Sequence, residues 1–384
     1  GLQCQGPRGK GAKRPGVANR RVVVKCGTAV LLGSEGKLQG ALLLSLAQQI
    51  RQLRDHGWEV VVVSSGAVGM GRSLLKTGQE NLREKQALAA LGQVELMNVW
   101  RRVFDLLEVQ VAQVLLTRED LRARERYLNA RNTLVTLLEA GVLPVINEND
   151  SVAVTEIRFG DNDILSCLVG ALVDAECVIN LTQAPGLLDF SHDPPRRLTR
   201  VTAITPEIEG LVRQETSRGG TGGMGSKLQA ARVALEVGTS MVIARAVEPD
   251  ILLRILAGED VGTRFEAGGK RLSSRKRWLA AGGAPRGKLH LDAGAARALA
   301  AGRSVLPVGI RSLEGEFGVG DLVSLLDPQG NELGRGLVNY PHHELARLIG
   351  QPTSQLEQIL GYKGHPEAVH RDHLYAREAP CPSS

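Results

Sequence analysis

The 384-residue chain is 43% hydrophobic but only 3% aromatic, enough for two or three domains whose cores rest on Val, Leu, Ile and Ala. No run of about 18 uncharged apolar residues occurs, which excludes a membrane-spanning helix. The net charge of +6 comes from Arg8, Lys10, Lys13, Arg14, Arg20 and Arg21 in an acid-free N-terminal stretch, so the remaining chain is balanced and gives no electrostatic sign of a nucleic-acid partner.

Residues 1–20 read as a basic, Gly-rich, disordered tail without an apolar signal segment. A cytoplasmic location is expected, or an organellar one if that tail is a targeting remnant. The five cysteines, Cys4, Cys26, Cys167, Cys177 and Cys381, form no CxxC pair and fit free thiols in a reducing compartment.

Residues 21–265 alternate short apolar strands with helical spacing. Arg21–Lys25 is a strand running into Gly27-Thr28, Leu38–His56 a helix, and Trp58–Val63 a second strand ending at Ser64-Ser65-Gly66. A long helix over roughly Asn81–Leu107, strand Val109–Leu116, helix Glu125–Ala140 and strand Val142–Ile146 follow. A helix from Asp163 and strand Cys177–Leu181 come next, and the chain then reads as irregular from Gly186 to Arg218. An Ala-rich helix over Leu228–Val237 and strand Ser240–Ala244 close the region. Strands apolar along their whole length, separated by helices, predict an α/β fold with a parallel sheet covered on both faces.

Residues 266–285 are basic and Gly/Ala-rich and read as a linker. Residues 286–364 read as a small, mostly β domain with strands at Lys288–Leu291, Val305–Gly309, Leu322–Leu326 and Gly334–Asn339. Residues 365–384 are left as a C-terminal tail. The small domain carries eight acids against eight Lys and Arg residues, a poor surface for RNA.

Gly219–Lys227 (GGTGGMGSK) suits phosphate: glycines let backbone N–H groups close on its oxygens, and a helix N-terminus follows. The same glycines formally match a dinucleotide fingerprint, but the segment before them, RQETSR, is no buried strand. A Walker A loop needs Gly-Lys-Ser/Thr, and here the order is Gly225-Ser226-Lys227. A flexible surface loop is the bland alternative.

In doubly wound sheets ligands bind beyond the carboxyl ends of the strands, here at Lys25, Gly27, Thr28, Ser65, Gly66, Asn147-Glu148-Asn149-Asp150 and Thr182. Lys25 closes a Val-Val-Val strand, where a buried ammonium needs an anion. Lys25 and Lys227 together could neutralise a transferring phosphoryl group. Asp150, Asp161 and Asp163 read either as caps and turn residues or as a set that grips an ammonium and orients the lysines.

The segments VVVKCGTAVLL, VVVSSGAVGMG, RERYLNARNTL, VLPVINENDSVAV, GDNDILS, GGTGGMGSKLQAA and LGYKGHPEAVHRD, in this order over about residues 21–374, resemble the bacterial glutamate 5-kinase family. The resemblance implies a parallel-sheet sandwich of the amino-acid-kinase type followed by a PUA-like domain. It implies transfer of the ATP γ-phosphoryl group to the L-glutamate γ-carboxylate with Mg²⁺, the first step of proline biosynthesis, with feedback inhibition by proline. Lys25 and Lys227 fall on its phosphate-contacting lysines, and Asp163 on the carboxylate that orients them. Ser65, Gly66, Asn147, Asp150 and Asn162 fall on or beside glutamate-binding positions. Gly27, Thr28, Thr182, Gln183, Thr221, Gly222, Gly223 and Met224 fall on nucleotide-binding segments. No metal ligand is assigned to a protein side chain. The resemblance also suggests a homo-oligomer and functional coupling to glutamate-5-semialdehyde dehydrogenase. Two departures stand out: Ala29 where the family commonly has Ser, and Gln183 where it commonly has Asp, both near the nucleotide.

Overall fold

The computed structural model describes residues 20–33, 35–75, 81–117, 120–121, 124–152, 162–217, 223–266, 279 and 285–376. Its larger sheet is built from β1 (Arg20–Cys26), β2 (Trp58–Ser64), β3 (Val111–Leu116), β4 (Leu143–Glu148) and β5 (Cys177–Thr182), with β8 (Arg200–Val201), β9 (Ser240–Arg245) and β10 (Thr263–Phe265). The order is β3-β4-β2-β1-β5-β9-β10-β8. Every pairing is parallel except β9 with β10. Two short strands, β6 (Leu188–Asp189) and β7 (Arg196–Arg197), form a separate hairpin.

Neighbouring residues of one strand enter opposite cores, which is why the strands read as unbroken apolar runs. Val23, Val61, Ile146 and Val178 pack on one face, under α5 (Arg124–Glu139), α6 (Asp163–Leu172) and α8 (Gly223–Val237). Val22, Val62, Val145 and Ile179 pack on the other, under α2 (Gly40–Asp55) and α4 (Leu82–Asp105). The short helices α1 (Thr28–Leu32) and α3 (Ala67–Leu74) start directly beyond β1 and β2. Helices α3 and α4 touch through glycines: a Cβ on Gly92 would stand 1.8 Å from the Ala67 carbonyl oxygen, and one on Gly71 2.1 Å from that of Leu88.

Two elements depart from the sequence expectation in this region. The stretch expected to be irregular contains α7 (Pro206–Ser217), started by a proline at its first position and by Glu207 and Glu209 in its first turn. Helix α8 begins at Gly223, not Leu228, so Gly223 and Gly225 already lie in its first turn. A last helix, α9 (Ile251–Leu256), follows β9.

The second sheet has the order β12 (Ile310–Gly315), β11 (Gly287–Leu291), β13 (Leu322–Leu326), β14 (Glu332–Val338), β15 (Val369–Ala376). Helices α10 (Ala293–Ala300), α11 (His342–Leu348) and α12 (Leu356–Leu360) surround it. The expected strand at Val305–Gly309 reduces to one bridge, Val305 with Val369, because Pro307 opens a 3₁₀ turn. The stretch expected to be a tail supplies β15, hydrogen-bonded to β14. The two sheets' domains touch along α8: Leu322 and Leu337 join the core beneath it, and Tyr375 donates to the Glu236 carbonyl at 3.4 Å.

Candidate active site

Lys25 is the penultimate residue of the central strand β1, between Val63 of β2 and Asn180 of β5, and only 1% of it is exposed. An ammonium so placed requires an anion. Asp163, fully buried at the start of α6, supplies it, with its Oδ1 2.6 Å from Lys25 Nζ. Lys227, one turn into α8, reaches Oδ2 of the same carboxylate at 3.3 Å. Asn180 Nδ2 donates to Oδ1 and Ser226 Oγ to Oδ2, each at 2.8 Å. Each carboxylate oxygen thus receives one ammonium and one neutral donor.

Burial works against a charge on Asp163, but Lys25 and Lys227, with further donation from Asn180, hold its carboxyl below the ordinary Asp range. The N-terminal dipole of α6 acts in the same direction. Two ammonium groups against one carboxylate leave an excess positive charge at the rim of the sheet. Glycines flank both cations. A Cβ on Gly27 would come within 3.2 Å of Lys25 Nζ, and one on Gly223 within 3.6 Å of Lys227 Nζ. The first turn of α8 offers backbone N–H groups that the helix itself cannot pair, and an anion fits such a cradle. Triphosphate is compatible with these residues.

Beside this cluster lies a pocket of about 350 Å³, lined among others by Thr28, Ser65, Gly66, Asn147, Asp150 and Asn162. The sharp turn from β2 into α3 depends on Gly66, whose φ of 112° a side chain rarely adopts. Asn162 precedes Asp163 in the left-handed conformation (φ 58°) and does not cap α6; its amide turns to Ser64 and Asn147 instead. Burial pushes the Asp150 carboxyl above its usual range. The pocket also holds Arg72 and Lys85, which the sequence did not single out, and Glu148, expected there only as one of the residues at the end of a strand. Asn180 and Ser226 were missed too, although an Asn inside the apolar strand CVINLT was a visible signal.

Family models match this chain twice: the amino acid kinase family over residues 20–245 and the PUA domain over residues 287–360. The glutamate 5-kinase of Herpetosiphon aurantiacus is 48% identical over 362 residues, covering 93% of this chain and 98% of its own length. That of Deinococcus radiodurans is 47% identical, covering 92% of this chain and 99% of its own length. A UMP kinase structure from Bacillus anthracis overlaps 65% of this chain and 97% of its own at a TM-score of 0.43 and 16% identity, too loosely to carry an argument. This chain belongs to the glutamate 5-kinase family.

The two departures from the family pattern are in contact. Gln183, just past β5, donates from Nε2 to the Ala29 carbonyl oxygen at 3.4 Å, and Arg245 Nε donates to the Gln183 carbonyl at 3.0 Å. Thr182 accepts from the Ala246 backbone N–H at 2.8 Å. The Met224 side chain is buried in the core, so only its backbone faces the phosphate cradle. Thr221 and Gly222 lie outside the described residues, as does Asp161. Among the described residues, no group of three His, Cys, Asp or Glu side chains could hold a metal. The Cys26 thiol follows Lys25 directly, but burial outweighs that ammonium and pushes it up to about 12, so it is neutral and no nucleophile. A larger cavity of about 480 Å³ opens at the opposite rim, between Arg51, Arg54, Glu59, Glu108 and Glu139, and contains none of the expected site residues.

Proposed function

We propose that this chain transfers the γ-phosphoryl group of ATP to the γ-carboxylate of L-glutamate, giving γ-glutamyl phosphate, the first step of proline biosynthesis. The carrying observation is the pair Lys25 and Lys227 on the two oxygens of Asp163. A carboxylate oxygen is already an adequate nucleophile, so no general base is needed. The obstacle is the approach of two anions. Lys25 and Lys227, held in place by Asp163, neutralise the phosphoryl oxygens, and the α8 N-terminus and Gly27 let backbone approach them. Thr28, Thr182, Gln183 and the first helical residues Gly223 and Met224 bound the nucleotide side.

In the neighbouring pocket Asp150 and Asn162 receive the substrate α-ammonium, Asn147 holds Asn162 in place, and Ser65 and the Gly66 backbone complete the lining. Arg72 and Lys85 give that pocket the positive charge a substrate α-carboxylate calls for. Both Asp163 oxygens are engaged by lysines, so Mg²⁺ would enter with the nucleotide rather than on this carboxylate, and there it would supply further charge neutralisation at the phosphates. We divide the chain into a kinase domain at 21–265, a linker at 266–285 and a PUA-like domain from 286, extended here to Ala376 by β15. Cytoplasmic location, a homo-oligomeric state, proline inhibition and hand-over of the labile acyl phosphate to glutamate-5-semialdehyde dehydrogenase complete the proposal. Trapping the product with hydroxylamine, using glutamate, ATP and Mg²⁺ with and without proline, tests it. Glutamate-dependent hydroxamate is expected, and its absence refutes the reading.

A further inference from the structure

A chain of side-chain amides runs from the surface into the substrate pocket. Gln113 on β3 accepts from Gln93 Nε2 at 2.9 Å, and Gln93 on α4 accepts at Oε1 from Asn147 Nδ2 at 2.8 Å. Asn147 accepts at Oδ1 from Asn162 Nδ2 at 2.6 Å. Two backbone groups reveal which way the amides of this chain face. The Glu148 N–H, which can only donate, points at Asn147 Oδ1 at 2.9 Å. The Ser64 carbonyl, which can only accept, faces Asn162 Nδ2 at 3.3 Å. Both amide hydrogens of Asn162 are therefore engaged, and the polar atom it can offer a ligand is its Oδ1. Asn162 and Asn147 are almost fully buried, whereas Gln93 is half-buried and Gln113 exposed. Neither glutamine lines the pocket.

We propose that Gln93 is a positioning residue for substrate recognition. It acts through Asn147 to keep the Asn162 oxygen toward the pocket, so that the site accepts an amino group there and rejects a ligand that presents an acceptor. This rests on reading the 350 Å³ pocket as the glutamate site. The selectivity follows from hydrogen-bond polarity: with Asp150 beside it, Asn162 Oδ1 gives the α-ammonium a second acceptor. Without an acceptor at position 93, Asn147 loses the partner that secures its Nδ2, and the orientation of Asn162 relaxes with it.

The test uses three full-length variants, read by glutamate titration calorimetry, by kcat and KM, and by the ratio of kcat/KM for glutamate to that for glutarate, which lacks the amino group. Gln93→Glu keeps an acceptor opposite Asn147 and is expected to leave glutamate affinity within about threefold of native. Gln93→Met removes it and is expected to weaken glutamate about tenfold, leave kcat within twofold and lower the glutamate-to-glutarate ratio by a similar factor. Gln93→Lys places a donor against Asn147 Nδ2 and is expected to be weakest of the three. Thermal melting verifies folding, and Gln93→Ala replaces any variant that does not fold. A merely structural role gives the opposite order, with Met close to native and Glu the most damaging, and that order overturns the proposal. A native chain that binds glutamate while Gln93→Met binds it equally well also overturns it, leaving the pocket assignment standing. A native chain that binds no glutamate removes the pocket assignment and this proposal together.

Discussion

Substituting Asp163→Asn changes one atom and leaves both lysines facing a neutral amide. Lys25 and Lys227 are 1% and 10% exposed at the side chain, and their contacts of 2.6 and 3.3 Å are both to this carboxylate. Removing one partner of a buried ion pair costs about 3–5 kcal/mol, because the remaining charge stays desolvated. For a domain of this size 1 kcal/mol shifts the melting midpoint by roughly 2–4 °C, so a fall of about 6–20 °C is expected in calorimetry without ligand. Nucleotide then stabilises the variant at least as much as the native chain, since its phosphates bring the missing anion. Turnover drops by about 10²–10³ because the lysines are no longer held where charge develops. The pH dependence carries a sign. The depressed Asp163 carboxyl contributes stability that is complete above the ordinary Asp value of about 3.9 and is lost only as pH falls through the lower folded value. The Asn variant lacks that contribution at every pH. A variant melting within 2 °C of native, with turnover within twofold, refutes the reasoning.

Asp150 behaves in the opposite sense. Burial raises its carboxyl, so its neutral form is the one the empty fold favours, and that benefit is lost as pH rises through the raised value. Asp150→Asn is expected to melt no lower than native at pH 7 yet to weaken glutamate about 10–100-fold, and the native KM for glutamate should climb on acidification while still above about pH 3.9. A pH-independent KM contradicts this. For Gln183→Asp, the native contact to Ala29 is a single long hydrogen bond, and restoring a carboxylate should lower the ATP KM about fivefold, with kcat within twofold of native; an unchanged ATP KM shows that the departure is silent. In Gly92→Ala the new methyl meets backbone, Ala67 O at 1.8 Å and Gly71 N at 2.5 Å, so α3 and α4 must separate. A loss of about 1–3 kcal/mol is expected by denaturant unfolding, with weaker glutamate binding because α3 carries the Ser65-Gly66 turn. Native-like stability rules that packing out.

The sheet was legible because strands buried on both faces cannot hide their composition: VVV in β1 and VVVV in β2 need cover above and below. Lys25 stood out for a related reason, as a charge closing a buried strand, and Lys227 for the glycine-rich segment that precedes it. What the sequence concealed depends on three-dimensional approach. Ser226 looks like a loop residue until α8 is seen to start at Gly223, which turns its hydroxyl onto Asp163. Gln93 looks like a surface residue of a long amphipathic helix, and nothing local says that Asn147, which follows in the chain only after β3 and α5, donates to it. Strand β15 reads as a tail because its sequence, VHRDHLYA, is mostly polar, with Arg371 and Asp372 exposed. Pairing with β14 and the burial of Val369 and Leu374 make it an edge strand.

The most direct measurement is a double-mutant cycle on hydroxamate formation with Lys25→Met, Lys227→Met and the pair. Both ammonium groups contact one carboxylate, and they are held to act on one phosphoryl group as a unit. Each single variant should then lose at least about 10² in kcat, and the pair should lose little more than the worse single. Singles that retain more than half the native turnover, or losses that simply multiply, contradict a shared phosphoryl site.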